Sequence, residues 1–163
     1  MKKPITTIIF VLFSILSGGC SAGCDHMQER PAGQSDVIAL ACDPIPVVRV
    51  GFIGLGMRGI GAVERFMHLD SVEVVALCDL EAENLARSQA VLREKAKPEA
   101  AEYMGPEGWK RLCERPDIDL VYISTDWLSH TPMAVYAMEQ GKHVAVEVPA
   151  AVTVEECWKL VDM

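Results

Sequence analysis

Six residues, Gly54-Leu55-Gly56-Met57-Arg58-Gly59, constrain this chain more than any other stretch. They form a G-x-G-x-x-G pattern directly after an apolar run, Val47 to Ile53. A second apolar run, Val72 to Cys78, is closed by Asp79, twenty residues beyond Gly59. Glycines at this spacing are a weak signal by themselves. A strand before them, a helix after them and an acid at this distance make the signal far more specific.

The chemistry that needs such a loop is anion binding at close range. A dinucleotide pyrophosphate takes hydrogen bonds from backbone N–H groups, and side chains in the approach would hold it off. Gly54 is expected to make the tight turn out of the strand. Gly56 would let the backbone approach the phosphates, and Gly59 would let the next helix pack closely on the strand. The helix N-terminus adds partial positive charge. Asp79 would accept from the adenosine ribose hydroxyls and repel a 2′-phosphate, which favours NAD over NADP. Arg58 is a nearby cation able to contact a phosphate. The plainer alternatives are a glycine-rich turn with no ligand and, for Asp79, a strand-end acid capping the next helix.

Around the loop, apolar runs alternate with helical patterns. Arg58 to His68 reads as a helix, and Leu80 to Lys95 as a second with Leu85, Ala86 and Leu92 inward. A short helix is expected around Gly108–Glu114. Leu120–Ser124 and His143–Val146 read as further strands. Between them Thr131 to Gly141 reads as a helix, with Pro132 in its first turn and Gly141 at its C-terminal end. Thr153 with Glu156 has the form of a capping box. The order is that of an α/β protein with a Rossmann-type doubly wound parallel sheet. By this reading residues 47–163 form a dinucleotide-binding domain truncated before its last strands, with no C-terminal substrate domain.

The 163 residues suffice for one domain, and the net charge of −8 argues against nucleic acid as a partner. Lys2 and Lys3 precede an apolar stretch from Ile5 to Leu16, then small residues and Cys20. That is the pattern of a signal peptide over residues 1–20, and the stretch is too short to span a bilayer. Leu16-Ser17-Gly18-Gly19-Cys20 resembles a bacterial lipoprotein cleavage box, with Cys20 lipidated and Cys24 as the alternative. Ser17 departs from the aliphatic residue usual there, so a plain signal peptide remains open. The expectation is an exported periplasmic or cell-envelope protein that touches membrane only through a lipid anchor. Residues 21–46 read as a tether, with the apolar patch Val37 to Cys42 as a candidate docking element. Of the six cysteines, Cys78, Cys113 and Cys157 are expected as buried free thiols, and Cys42 is unassigned. No metal site is expected.

Val50-Gly51-Phe52-Ile53-Gly54-Leu55-Gly56 and Glu147-Val148-Pro149 together resemble the glucose–fructose oxidoreductase / inositol dehydrogenase superfamily. Its signature at the second site is Glu-Lys-Pro, whose lysine contacts nicotinamide or substrate; here that position is Val148. The longer matches are Leu120 through Trp127, Ser129 through Glu139, Gly141 through Ala151, and Thr153 through Trp158. These resemble one branch, the NAD-dependent α-N-acetylgalactosaminidases, where valine in place of the lysine is usual. Met57 departs from the branch, which generally has asparagine there.

The resemblance implies that NAD is held at Met57 and Arg58, at Asp79, at Trp127, Leu128, Ser129 and His130, and at Glu147 and Val148. The residues alone suggest less: core packing for Trp127 and helix capping for His130. The resemblance further implies a small-molecule glycoside substrate and a redox-assisted hydrolysis. The sugar 3-hydroxyl is oxidised, the C2 hydrogen is removed, the glycosidic bond is eliminated, water adds and the hydride returns. NAD is then a resident catalyst and no flanking pair of carboxylates is needed. The catalytic base is expected in a later part of the chain, so 163 residues alone are expected to be inactive. A plain NAD-dependent sugar or inositol oxidoreductase, an orphan NAD-binding fragment, and a homo-oligomeric full-length protein stay open.

Overall fold

The computed structural model describes residues 42–163. The signal stretch, Cys20, Cys24 and most of the tether, with its apolar patch up to Ala41, lie outside the described residues.

Five strands form one parallel sheet: β1 (Val48–Ile53), β2 (Val72–Asp79), β3 (Ala101–Met104), β4 (Leu120–Ile123) and β5 (His143–Val146). Their order is β3-β2-β1-β4-β5, so the winding reverses between β1 and β4. The connecting helices are α1 (Met57–Phe66), α2 (Ala82–Glu94), α3 (Gly108–Cys113) and α4 (Trp127–Glu139), and α5 (Val154–Asp162) follows β5. This is the expected doubly wound architecture.

Strand β1 is buried from Val50 to Ile53 without a break, as a central strand covered on both faces must be. Val50, Phe52 and Leu77 pack under α1 and α2 with Val63, Leu85 and Leu92. Ile53, Ala76, Val121 and Ile123 pack on the other face with Leu112, Ala134 and Ala137 of α3 and α4. The two-residue side-chain period of the strands separates these two cores.

Arg49, the charge that interrupts the first apolar run, is explained at the opposite end of the sheet from the glycine loop. Its Nε and Nη2 donate to the two Asp119 carboxylate oxygens at 3.0 and 2.9 Å, and its backbone N–H adds a third bond at 2.9 Å. These bonds hold the Asp119 carboxyl below its ordinary range. A carboxylate whose folded-state pKa is depressed contributes stability above its unfolded value, and the contribution is lost as pH falls. Asp119→Asn is therefore expected to lower Tm by about 5 °C at neutral pH, the scale of one partly screened ion pair. The difference should shrink below about pH 4 in thermal melts across pH.

Three expectations need correction. Ala86, expected inward, is exposed on α2, whose buried face is Leu85, Ser88, Gln89 and Leu92. β3 was not anticipated: residues 101–104 are short, lie at the sheet edge and have no strong apolar run. The strand is fixed from outside by Gln89 of α2, only 5% exposed. Its Nε2 donates to the Ala100 carbonyl at 2.7 Å and to Glu102 at 3.0 Å, and its Oε1 accepts from the Ala100 N–H at 3.2 Å. Helix α4 begins at Trp127, four residues before the expected Thr131, so Pro132 lies in its second turn. Asp126 starts it early, accepting from the backbone N–H groups of Leu128 at 3.0 Å and Ser129 at 3.2 Å. The other end is as expected. Gly141, at φ +72°, donates to the Met138 carbonyl, and Lys142 N–H to that of Ala137, a Schellman closure. The Thr153–Glu156 capping box is also present.

Candidate functional site

The three glycines of the loop do three different jobs. Gly54 turns the chain out of β1 at φ +85°, a region that favours glycine, and a Cβ there would stand 2.6 Å from the Ser124 carbonyl oxygen. A Cβ on Gly59 would stand 1.9 Å from the Gly54 carbonyl oxygen, so the first turn of α1 rests directly on the loop backbone. A Cβ on Gly56 would meet nothing within 4 Å. Gly56 is also the N-cap of α1 and offers no capping side chain, so the first N–H groups of the helix have no side-chain partner there. Backbone donors, helix dipole and open space at one point fit a pyrophosphate. Met57 and Arg58 are exposed in the first helical turn beside it.

Asp79 closes the cradle from β2. One carboxylate oxygen accepts from the Leu55 N–H at 2.6 Å; the other accepts from the Glu81 N–H at 2.9 Å and from Asn84 Nδ2 at 3.1 Å. Asp79 thus braces the glycine loop and also orders the start of α2, where Glu81 is the N-cap. Ser124 completes the frame, donating through Oγ to the Gly54 carbonyl at 2.7 Å. A crevice of about 550 Å³ opens among Gly54, Gly56, Asp79, Asn84, Thr125 and Ser129. It lies at the C-terminal ends of β1, β2 and β4, where the strand order reverses and sheets of this kind take ligands. Sequence reasoning missed Asn84 and Ser124. Their signal, a polar residue just past a strand end, is too common to be singled out.

The remaining expected residues are placed unequally. Ser129 borders the crevice. Trp127 and Leu128 are 63% and 73% exposed at the start of α4, so core packing does not describe Trp127. His130 is 1% exposed. Its Nδ1 faces the Pro149 carbonyl at 2.8 Å and its Nε2 the Thr125 carbonyl at 3.2 Å. Both ring nitrogens stand at hydrogen-bond distance from a backbone carbonyl, and an N–H on Nδ1 ties the start of α4 to the loop after β5. Thr131 adds a parallel tie to the Ala150 carbonyl at 2.9 Å. Val148 is 77% exposed after β5. Glu147 beside it accepts from the Tyr122 hydroxyl at 2.7 Å. Burial, and then this carboxylate, push the Tyr122 phenol up.

Cys78 and Cys113 are buried, as expected, and burial pushes each thiol up to about 12. Cys78 lines the crevice floor and acts there as an apolar wall. Cys157 does not follow its expectation. It is exposed, because α5 buries none of its residues fully and docks through side chains such as Leu160. Native alkylation followed by mass spectrometry is expected to label Cys42 and Cys157, leaving Cys78 and Cys113 unreacted until denaturant is added.

Comparison with known proteins matches this geometry. Residues 48–163 match the family model described as an oxidoreductase family with an NAD-binding Rossmann fold. An α-N-acetylgalactosaminidase of Bacteroides fragilis is 60% identical over 133 residues, covering 82% of this chain and 31% of the relative. Glycosyl hydrolase family 109 protein 1 of the same species is 60% identical over 156 residues, 93% of this chain and 34% of the relative. The chain spans about a third of the length of the curated relatives it matches. Among solved structures, myo-inositol dehydrogenase from Lactobacillus casei, in complex with NAD(H) and myo-inositol, superposes with TM-score 0.60. It is 31% identical, over 71% of this chain and 32% of that one. An NAD-binding protein from Listeria innocua superposes at TM-score 0.57 with 26% identity, over 71% and 31%. On the match of its glycine loop, strand order and nearly all described residues, the chain belongs to the oxidoreductase family with the NAD-binding Rossmann fold.

Proposed function

We propose that this chain is the NAD-binding part of a glycosidase that removes α-linked N-acetylgalactosamine. The observation that carries the cofactor half is the open face of Gly56 beside the Asp79 carboxylate. The sugar half is supported by the relative named α-N-acetylgalactosaminidase, 60% identical over 82% of this chain.

In this proposal the backbone from Gly54 to Gly59, with Met57 and Arg58 in the first helical turn, holds the pyrophosphate. Asp79 keeps one acceptor site beyond its three internal bonds, on the oxygen that also takes the Leu55 N–H, for a ribose hydroxyl. Its negative charge, set at that position, disfavours a 2′-phosphate, which supports NAD over NADP. Trp127 to Ser129 and Glu147 with Val148 flank the far end, and His130 keeps the start of α4 and the loop after β5 together. When bound, the dinucleotide would supply reversible hydride transfer to and from the carbon that bears a sugar hydroxyl, and the ketone so formed would acidify the neighbouring C–H. Val148 has no polar side-chain atom, so residue 148 neither donates nor accepts a proton.

The test compares this chain with a polypeptide of the relatives' full length. The longer polypeptide is expected to release N-acetylgalactosamine from an aryl glycoside without net NADH. The 163-residue chain is expected to bind NAD⁺ and release no sugar. A second reading, a sugar or inositol dehydrogenase, is favoured by the 31% identity to the myo-inositol dehydrogenase. NADH accumulating from a free sugar, with no glycoside cleavage, would establish that reading and end the first.

Export belongs to the same proposal. The pattern from Lys2 to Cys20 supports a lipidated envelope protein. Palmitate incorporation that vanishes in Cys20→Ala and persists in Cys24→Ala is the expected result.

A further inference from the structure

We propose that Tyr122 is a positioning residue for the dinucleotide site, acting through Glu147 and never touching the ligand itself. The inference rests on the proposed function, which takes Glu147 as one of the residues that hold the dinucleotide; Glu147 does not itself line the crevice around the glycine loop.

The sheet register sets up the pair. Tyr122 on β4 lies opposite Phe52 on β1 and opposite Ala145 on β5. Glu147 stands two residues past Ala145, the diagonal neighbour of Tyr122 on the same face, within reach of a long side chain. Ala145 is small and leaves the lane between them clear. The phenol is aimed along that lane by its own ring contacts. Its ring lies 5.2 Å from Phe52 and 5.6 Å from Phe66, tilted against the first and edge-on to the second. Phe66 belongs to α1, the helix that begins at the glycine loop. The hydroxyl therefore has a fixed place, and it donates a hydrogen bond to Glu147 Oε1 at 2.7 Å.

Glu147 is further constrained at its backbone, where its N–H donates to the Ile123 carbonyl at 2.9 Å. One carboxylate oxygen is thus committed to Tyr122. The other is held in a defined direction at the C-terminal end of the sheet. An oxygen so held is an acceptor for a neutral donor, a hydroxyl or a carboxamide N–H, the groups that the nicotinamide half of NAD carries. Without the phenol, Glu147 regains rotamer freedom that binding must then remove.

The experiment is a double-mutant cycle on the 163-residue chain, read by NAD⁺ affinity and by Tm. Tyr122→Phe keeps the ring contacts and removes only the hydroxyl. It is expected to weaken NAD⁺ binding about tenfold, the scale of immobilising one freed side chain on binding. Tm should move by no more than about 3 °C. In a Glu147→Ala background the same substitution is expected to change NAD⁺ affinity by less than about twofold. In a Glu147→Gln background, which keeps the acceptor oxygen, the effect should reappear. A purely packing role for Tyr122 would give the same loss in every background and would overturn the assignment. So would NAD⁺ binding that Tyr122→Phe leaves unchanged. A wild-type chain that binds no NAD⁺ overturns the proposed function together with this inference, whereas the other two failures leave that function standing.

Discussion

Gly56→Val is expected to remove dinucleotide binding while leaving the fold intact. The Cβ of residue 56 would enter open space, with no heavy atom within 4 Å. The backbone there is extended, φ −62° and ψ −163°, which valine adopts without strain. Nothing in the domain core is displaced. The isopropyl group instead occupies the approach to the first N–H groups of α1, where a pyrophosphate must come within hydrogen-bond distance. The expected loss in NAD⁺ affinity is at least about 100-fold, read by titration calorimetry. Tm should stay within about 3 °C of wild type. A variant that binds normally would mean that the phosphates do not lie over Gly56.

Gly59→Ala should behave in the opposite way. One methyl group is added, yet it would stand 1.9 Å from the Gly54 carbonyl oxygen and 2.8 Å from Ser124 Oγ. The first obstacle is backbone, so no rotamer change relieves it. Either α1 lifts from β1 or the turn at Gly54 unwinds. The second route also breaks the bonds from Gly54 N–H to the Cys78 carbonyl and from Ser124 Oγ to the Gly54 carbonyl. Overpacking a rigid site of this kind costs about 3 kcal/mol or more. The expected readout is a fall in Tm of about 10 °C, or a chain that does not accumulate as folded protein. Equal stability for Gly59→Ala and wild type would contradict the tight contact of helix on loop. The two substitutions separate a glycine required for ligand approach from one required for folding, three residues apart in one motif.

Much of this was legible in sequence because the local and global signals agree. The uninterrupted burial of β1 is written in Val50 to Ile53, and the turn after it in Gly54. The closing of α4 is written in Gly141. What escaped depends on contacts distant in sequence. β3 exists because Gln89, more than ten residues earlier, satisfies the edge at Ala100 and Glu102, and no local pattern encodes that. The start of α4 was misplaced because Pro132 suggested a first turn, while Asp126 supplied the real cap. His130 shows the limit of reasoning by resemblance. The resemblance implied a cofactor contact, whereas the side chain is fully buried between two carbonyl groups, a placement that follows only from where the β5 loop returns. The bond between Tyr122 and Glu147 was invisible too, since a tyrosine inside an apolar run reads as core until its hydroxyl is seen to meet a carboxylate.

The bond from Leu55 N–H to Asp79 has a consequence for redesign. In the proposed site a single carboxylate would face the ribose, and the same carboxylate already props the glycine loop. Swapping it for a small neutral residue, the obvious route to accepting a 2′-phosphate, would also strip a brace from the glycine turn. A change of cofactor preference in this scaffold therefore requires a second substitution that supplies a new acceptor for the Leu55 amide.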